Sequence, residues 1–485
     1  MRSTLAGLFF TFFLAAAGFG QAHPALSPLT QQFVTVDAPV IALTHVRVID
    51  GTGAPPREDQ TVVIERGRIA AIGDASSTPP PAGAKVIDLQ GETVIPGLVG
   101  MHDHLFYPNQ VAERRTDGPV IIYNEMGFSF PRLYLACGVT TLRTTGSIEP
   151  YTDLSLKKLI DEGKTPGPNL YITGPYLEGS GSYTPNMHEL TGPEDATRTV
   201  NYWAEEGATS FKAYMHITRA ELKAAVVAAH ARSIKVTGHL CSIGFTEAAA
   251  LGIDDLEHGL FVDTEFVPGK KADVCPSQQL TGETMAKLDM ESTSVQTMIH
   301  DLVSHHVAVT STMPVFEISV PGRLPLEPRV LGVLSAPAQV DYLTIRALVG
   351  QRTHSNMLTN LHQEMQFERD FVKAGGLLLA GLDPTGYGGV VAGFGDQREV
   401  ELLVEAGFTP VEAIHIATQN GAIYLGQDST IGTLAPGKTA DLVVIQGNPA
   451  ANISDIEKVQ TVFKNGIGYD STKLIESVQG AVGLH

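Results

Sequence analysis

The chain has 485 residues, 43% of them hydrophobic and 18% charged, with a formal net charge of −19. This composition excludes a disordered chain or a coiled coil, and the length allows one large domain plus a smaller one. The acidic balance argues against a nucleic-acid or anionic-membrane partner.

Residues 1–22 read as a signal peptide. Arg2 supplies the positive start, residues 5–17 a short apolar run, and Gly20-Gln21-Ala22 the small residues at which a signal peptidase cuts. The expectations are cleavage after Ala22, a secreted or periplasmic location, and no membrane contact after removal. The apolar run is short for a membrane span. None of the three cysteines, Cys137, Cys241 and Cys275, lies near the cut, and their spacing fits no zinc motif. One disulfide is compatible with export; the spacing does not say which.

Residues 39–94 read as short strands between glycine-marked turns, among them 41–49 and 61–65. The same style returns in 427–470, at 440–445 and 459–463. The simplest architecture is a small β-sandwich built from both chain ends, with the middle inserted into it. That middle, residues 95–426, alternates strands and helices. Candidate strands fall at 94–104, 140–145, 169–174, 210–215, 235–240, 254–259, 306–312 and 377–383, and helical periodicity at 219–232 and 356–374. Eight βα units predict an α/β chain with a closed (β/α)8 TIM barrel. Long connections at 261–292 and 314–352 each follow a strand, so they belong at the C-terminal mouth, where such segments shape pockets.

The chemistry sits at the same ends of the strands. His102 and His104, at i and i+2, share one face of the first strand. Paired imidazoles suit a divalent metal with nitrogen and oxygen ligands. Strand four ends near Lys212, strand five at His239, strand six at His258 and strand eight at Asp383. Barrel topology converges these ends. Burying six titratable groups is costly unless something compensates them, and metal ions would compensate all six.

Two stretches carry a resemblance. Val94-Ile-Pro-Gly-Leu-Val-Gly-Met-His-Asp-His104 and Gly432-Thr-Leu-Ala-Pro-Gly-Lys-Thr-Ala-Asp-Leu-Val-Val444 resemble the binuclear amidohydrolase superfamily, nearest the branch of imidazolonepropionase and the prolidase-like dipeptidases. The resemblance implies two divalent metal ions, zinc first, with manganese, cobalt or iron as alternatives. It implies that His102, His104 and Asp383 hold the more buried ion and His239 and His258 the more exposed one. It further implies that Lys212 bridges both as a carbamate formed with CO2, an anion with one oxygen for each cation.

The expected reaction is hydrolysis of an amide C–N bond in a small molecule: a dipeptide, an N-acyl amino acid or a cyclic amide. A metal-bridging hydroxide would attack while Asp383 serves as base and then acid. A lactonase or phosphotriesterase on the same site remains open, as does a non-catalytic binding protein on the same barrel, although no ligand position is lost. Three residues are candidates for substrate contact. Tyr214 shares a strand face with Lys212, His188 lies in the loop after strand three, and Arg143 could clamp a carboxylate. Each has a plainer alternative: a packed tyrosine, a surface histidine, a structural ion pair. The expected partner is a small-molecule amide, and a homo-oligomer is left open.

Overall fold

The computed structural model describes residues 24–109, 114–115, 118–119, 122–182 and 184–484. The signal peptide of residues 1–22 and its cleavage point lie outside them. Eight parallel strands occupy the eight expected places: β1 (Leu98–Asp103), β2 (Val139–Thr144), β3 (Asn169–Tyr171), β4 (Ser210–Ala213), β5 (Lys235–Gly238), β6 (Asp255–Glu257), β7 (Ala308–Ser311) and β8 (Leu378–Ala380). Ladders join β1 to β2 to β3, and β4 in sequence to β8.

Two seams complete the barrel. The Thr209 N–H donates to the Ile172 carbonyl (2.7 Å) and the Gly174 N–H to the Ser210 carbonyl (2.9 Å), joining β3 to β4. The Asp383 N–H donates to the His102 carbonyl (3.0 Å), joining β8 to β1. That second seam needs a glycine. A Cβ on Gly381 would stand 2.4 Å from the His102 nitrogen, so any side chain would push β8 away from the histidine strand.

Helices pack outside the strands. The helix expected over 219–232 is Arg219–His230. It starts at a reciprocal cap: Thr218 Oγ1 accepts from the Glu221 N–H, and the Glu221 carboxylate accepts from the Thr218 N–H. Its buried side includes Leu222, Ala225, Val226 and Ala229, at helical spacing. The two long connections contain helices that the periodicity did not predict, at Gln278–Met285 in the first and at Pro328–Val333 and Ala336–Gly350 in the second.

Both chain ends contribute to one nine-stranded sheet, in which Leu442–Gln446 pairs with Glu92–Pro96 and with Val459–Lys464. This strand is buried on both faces. Leu442 and Val444 pack with Ile41, Leu43, Val94 and Phe463 in the core of the sheet's own domain. Val443 and Ile445, one residue out of phase, pack into the barrel core. Such double burial explains the uninterrupted apolar run in the sequence.

Candidate metal centre

At the C-terminal end of β1 the pleat sends His102 and His104 into the barrel. His102 is fully buried, and its Nδ1–H donates to the Glu257 carboxylate at 2.7 Å. Its Nε2 is thereby left as a lone pair, 3.1 Å from Lys212 Nζ. His104 Nδ1–H donates to the Gly146 carbonyl at 3.2 Å, which frees its Nε2 in the same way. The ring of His104 also stacks on Phe106, with centroids 4.3 Å apart.

Strict alternation would turn His258 away from the face that Glu257 occupies. The backbone corrects this, because His258 adopts a left-handed φ of 71° at the end of β6. Asp383 does the same beyond β8, with φ 51°. These conformations are uncommon for residues with a Cβ and are held here by the surrounding structure. Thr312 fixes the His258 ring through a 2.7 Å contact with Nδ1.

All six expected residues meet. Asp383 lies 3.6 Å from His102 Nε2, 3.6 Å from His104 Nε2 and 3.8 Å from His258 Nε2. The His258 ring centroid is 4.4 Å from that of His102 and 4.5 Å from that of His239. Burial, followed in each case by a neighbouring cation or imidazole, lowers the pKa of His102, His104, His239 and His258. Neutral imidazoles with free lone pairs result. Burial likewise pulls Lys212 down to about 8 and raises Asp383 to about 6.

The donor set fits divalent cations. Ligand atoms of His102, His258 and Asp383 lie within 4.8 Å of one another. His258 Nε2 and Asp383 Oδ1 are buried without a hydrogen-bond partner among the described residues. Two orphaned electron-pair donors aimed at a shared gap would be costly unless a cation served both.

The three weaker candidates do not share one fate. Tyr214 is buried beside the cluster, its ring 4.9 Å from that of Tyr176 and 5.0 Å from that of His239. His188 faces solvent and pairs with Asp195 at 3.3 Å. Arg143 is not placed as a carboxylate clamp. It lies fully buried, donating to the Met101 carbonyl, to Asp255 at 2.8 Å and to Glu257 at 2.9 Å. The Met101 carbonyl and the carboxylates of β6 hold its Nε and Nη2, while Nη1 is buried without a hydrogen-bond partner among the described residues. The sequence reading missed Glu257. Its signal was present: Asp255 and Glu257, two apart on a strand, must share a face, and that face is the barrel interior.

The sequence profile of the amidohydrolase family matches residues 93–467. The structure of a Xaa-Pro dipeptidase with methionine bound in its active site is similar at TM-score 0.65 and 20% identity, covering 89% of this chain and 100% of that one. A bottromycin amidohydrolase is similar at TM-score 0.67 and 19% identity, over 96% of this chain and 95% of that one. The dihydroorotase of Trichlorobacter lovleyi is 32% identical over 133 residues, 27% of this chain; the match spans 28% of the dihydroorotase's length.

Proposed function

Because the chain belongs to the amidohydrolase family, as the match over residues 93–467 shows, we propose that it hydrolyses an amide C–N bond of a small molecule with two divalent metal ions. The observation that carries this reading is the meeting of Asp383 with three imidazole nitrogens, at 3.6–3.8 Å, beside a buried lysine. His102, His104 and Asp383 would hold one ion and His239 and His258 the other. Lys212 suits a bridging carbamate, because an amine pulled down to about 8 is partly neutral near pH 7 and can add CO2. Cations held there acidify water and polarise a carbonyl oxygen.

The chain's own residues manage the proton. Asp383, 3.6 Å from both the His102 and His104 Nε2 atoms, would accept the proton of the attacking water and deliver it to the leaving nitrogen. An amide needs that delivery, because an amine anion is a poor leaving group. Glu257 and Thr312 orient His102 and His258 and so fix which nitrogen faces the gap.

Dipeptides, N-acyl amino acids and cyclic amides are the proposed substrates. An ester or phosphotriester is the second reading, favoured by one observation: Arg143, the candidate clamp for a substrate carboxylate, is committed beneath the site. Export is proposed too; the bonded pair Cys241–Cys275 supports an oxidising compartment.

The test is Asp383→Asn against a panel of amides, lactones and organophosphates. The variant should keep bound metal by elemental analysis and lose turnover by at least about 100-fold, in line with lost acid–base catalysis. Full turnover would refute the proton-shuttle role.

A further inference from the structure

A cavity of about 260 Å³ opens beside His239, and its lining is mainly apolar. Met215, Leu240, Phe261, Val262, Phe316 and Met357 supply its apolar wall. Phe316 stacks on Phe261 with centroids 3.8 Å apart and stands edge-on to His258 at 5.5 Å, so the wall runs directly into the candidate metal centre. Among the described residues, no Asp, Glu, Lys or Arg lines it.

Besides His239, its polar side chains are Thr264, Gln278, Thr281 and Asn360; the Thr264 hydroxyl donates to the Cys241 carbonyl at 2.6 Å, and Gln278 is exposed. Asn360 donates through Nδ2 to the Gly282 carbonyl at 3.2 Å, and Thr281 donates to the Ser277 carbonyl at 3.2 Å. Among the described residues the Asn360 carbonyl oxygen has no hydrogen-bond partner, and an electron-rich acceptor of this kind repels an anion. A carboxylate placed here would lose its water and find no cationic side chain.

The outer wall is fastened from outside. Cys241, which follows β5 and lines the cavity, is disulfide-bonded to Cys275, and Pro276, next in the chain, lines the cavity as well. The bond closes a 34-residue span. Other ties hold that span, among them Arg219 donating to Asp273 at 3.0 Å, Lys270 donating to the Ser242 carbonyl at 2.7 Å and the Thr246 N–H donating to Glu265 at 2.8 Å. Without the disulfide, the Cys275–Pro276 edge of the wall would rest on the partly exposed contacts of Asp273 and Lys270, while strand β6 and the bond from Thr264 to the Cys241 carbonyl keep the rest of the span in place.

We propose that this cavity selects an uncharged, apolar group of the substrate, and that the Cys241–Cys275 disulfide is a positioning element that holds its outer wall. The proposal rests on the hydrolase reading and narrows it to amides that present an uncharged apolar group next to His239.

Binding and turnover separate the two. Calorimetry on the full chain, first metal-free and then zinc-loaded, would use N-acetyl-leucine amide as the uncharged probe and N-acetyl-leucine as the anionic one. Metal-free protein should bind the uncharged probe at least 10-fold more tightly. Equal binding, or preference for the anion, overturns the proposal whether or not the protein hydrolyses anything. Preferential binding without turnover after zinc loading leaves the cavity assignment standing and counts against the hydrolase reading.

Cys241→Ser with Cys275→Ser should raise KM for uncharged amides about 10-fold and leave kcat within about 2-fold, whereas an unchanged KM overturns the positioning role. Should that variant fail to fold, reduction of the intact protein by a water-soluble dithiol, with the same KM readout, replaces it. Gln278→Arg puts a cation at the rim and should shift preference toward N-acetyl-leucine. No shift overturns the assignment of this cavity as the selecting site.

Discussion

Arg143 and Glu257 show how a single residue's role depends on what lies opposite it. Arg143 in the sequence offers a clamp and an ion pair equally. Only β6, folded alongside, decides, because Asp255 and Glu257 face it at 2.8 and 2.9 Å in a dry interior. Breaking such a buried pair leaves two carboxylates uncompensated. Arg143→Met should therefore cost about 3–5 kcal/mol of stability, read as a fall in denaturation midpoint. A substrate clamp would instead raise KM and leave the midpoint unmoved. Glu257→Gln should weaken metal affinity about 10–100-fold, because His102 exchanges a charged carboxylate acceptor for a neutral amide that supports its basicity and tautomer less firmly; titration with a competing chelator measures this, and unchanged affinity would remove Glu257 from the site. The metal candidates were legible because β1 carries two histidines in register. His258 was legible for its residue type but not for its geometry, which depends on a left-handed turn that no alternation rule supplies.

At the level of elements, the helices Met357–Lys373 and Phe394–Ala406 carry an unusual load on their inner faces. Glu364 and Glu368, four apart on the first, and Glu399 on the second, are all buried. Burial first, and then mutual repulsion for Glu364 and Glu399, pushes these carboxyls upward, Glu368 to about 8. A folded-state pKa above the unfolded value of 4.5 means that the folded chain holds its proton more tightly. The resulting stabilisation is complete below about pH 4.5 and is lost as pH rises through about 8. Glu368→Gln should flatten that decline in a series of thermal midpoints from pH 5 to 9; an unaltered slope would show that the carboxyl does not titrate in this window. Helical spacing announced the element over 356–374. It could not announce that buried positions would be acidic, since the neighbours that tolerate them come from β7 and the other helix.

For the molecule as a whole, the barrel and the composite sheet share the strand Leu442–Gln446, whose two faces belong to different cores. Ile445→Ala removes a fully buried side chain on the barrel side and should cost about 2–5 kcal/mol. Calorimetry should show a single lowered transition. Two separated transitions would mean that the sheet and the barrel unfold independently. The βα rhythm made the eight strands readable, because parallel strands buried on both faces leave long apolar runs between helices. The helices within the two long connections were not readable. They pack on surfaces that exist only once the barrel has closed, among them the C-terminal tail, where the Val482 N–H donates to the Val333 carbonyl at 2.9 Å. The central claim is that six side chains at the barrel mouth grip two catalytic cations. Its most direct measurement is a zinc titration of chelator-stripped protein, with amide cleavage followed at each addition. Cleavage should be absent at the start, rise to a plateau at two equivalents, and stay absent in Lys212→Ala. Full cleavage by the stripped protein, or by Lys212→Ala, would contradict the claim.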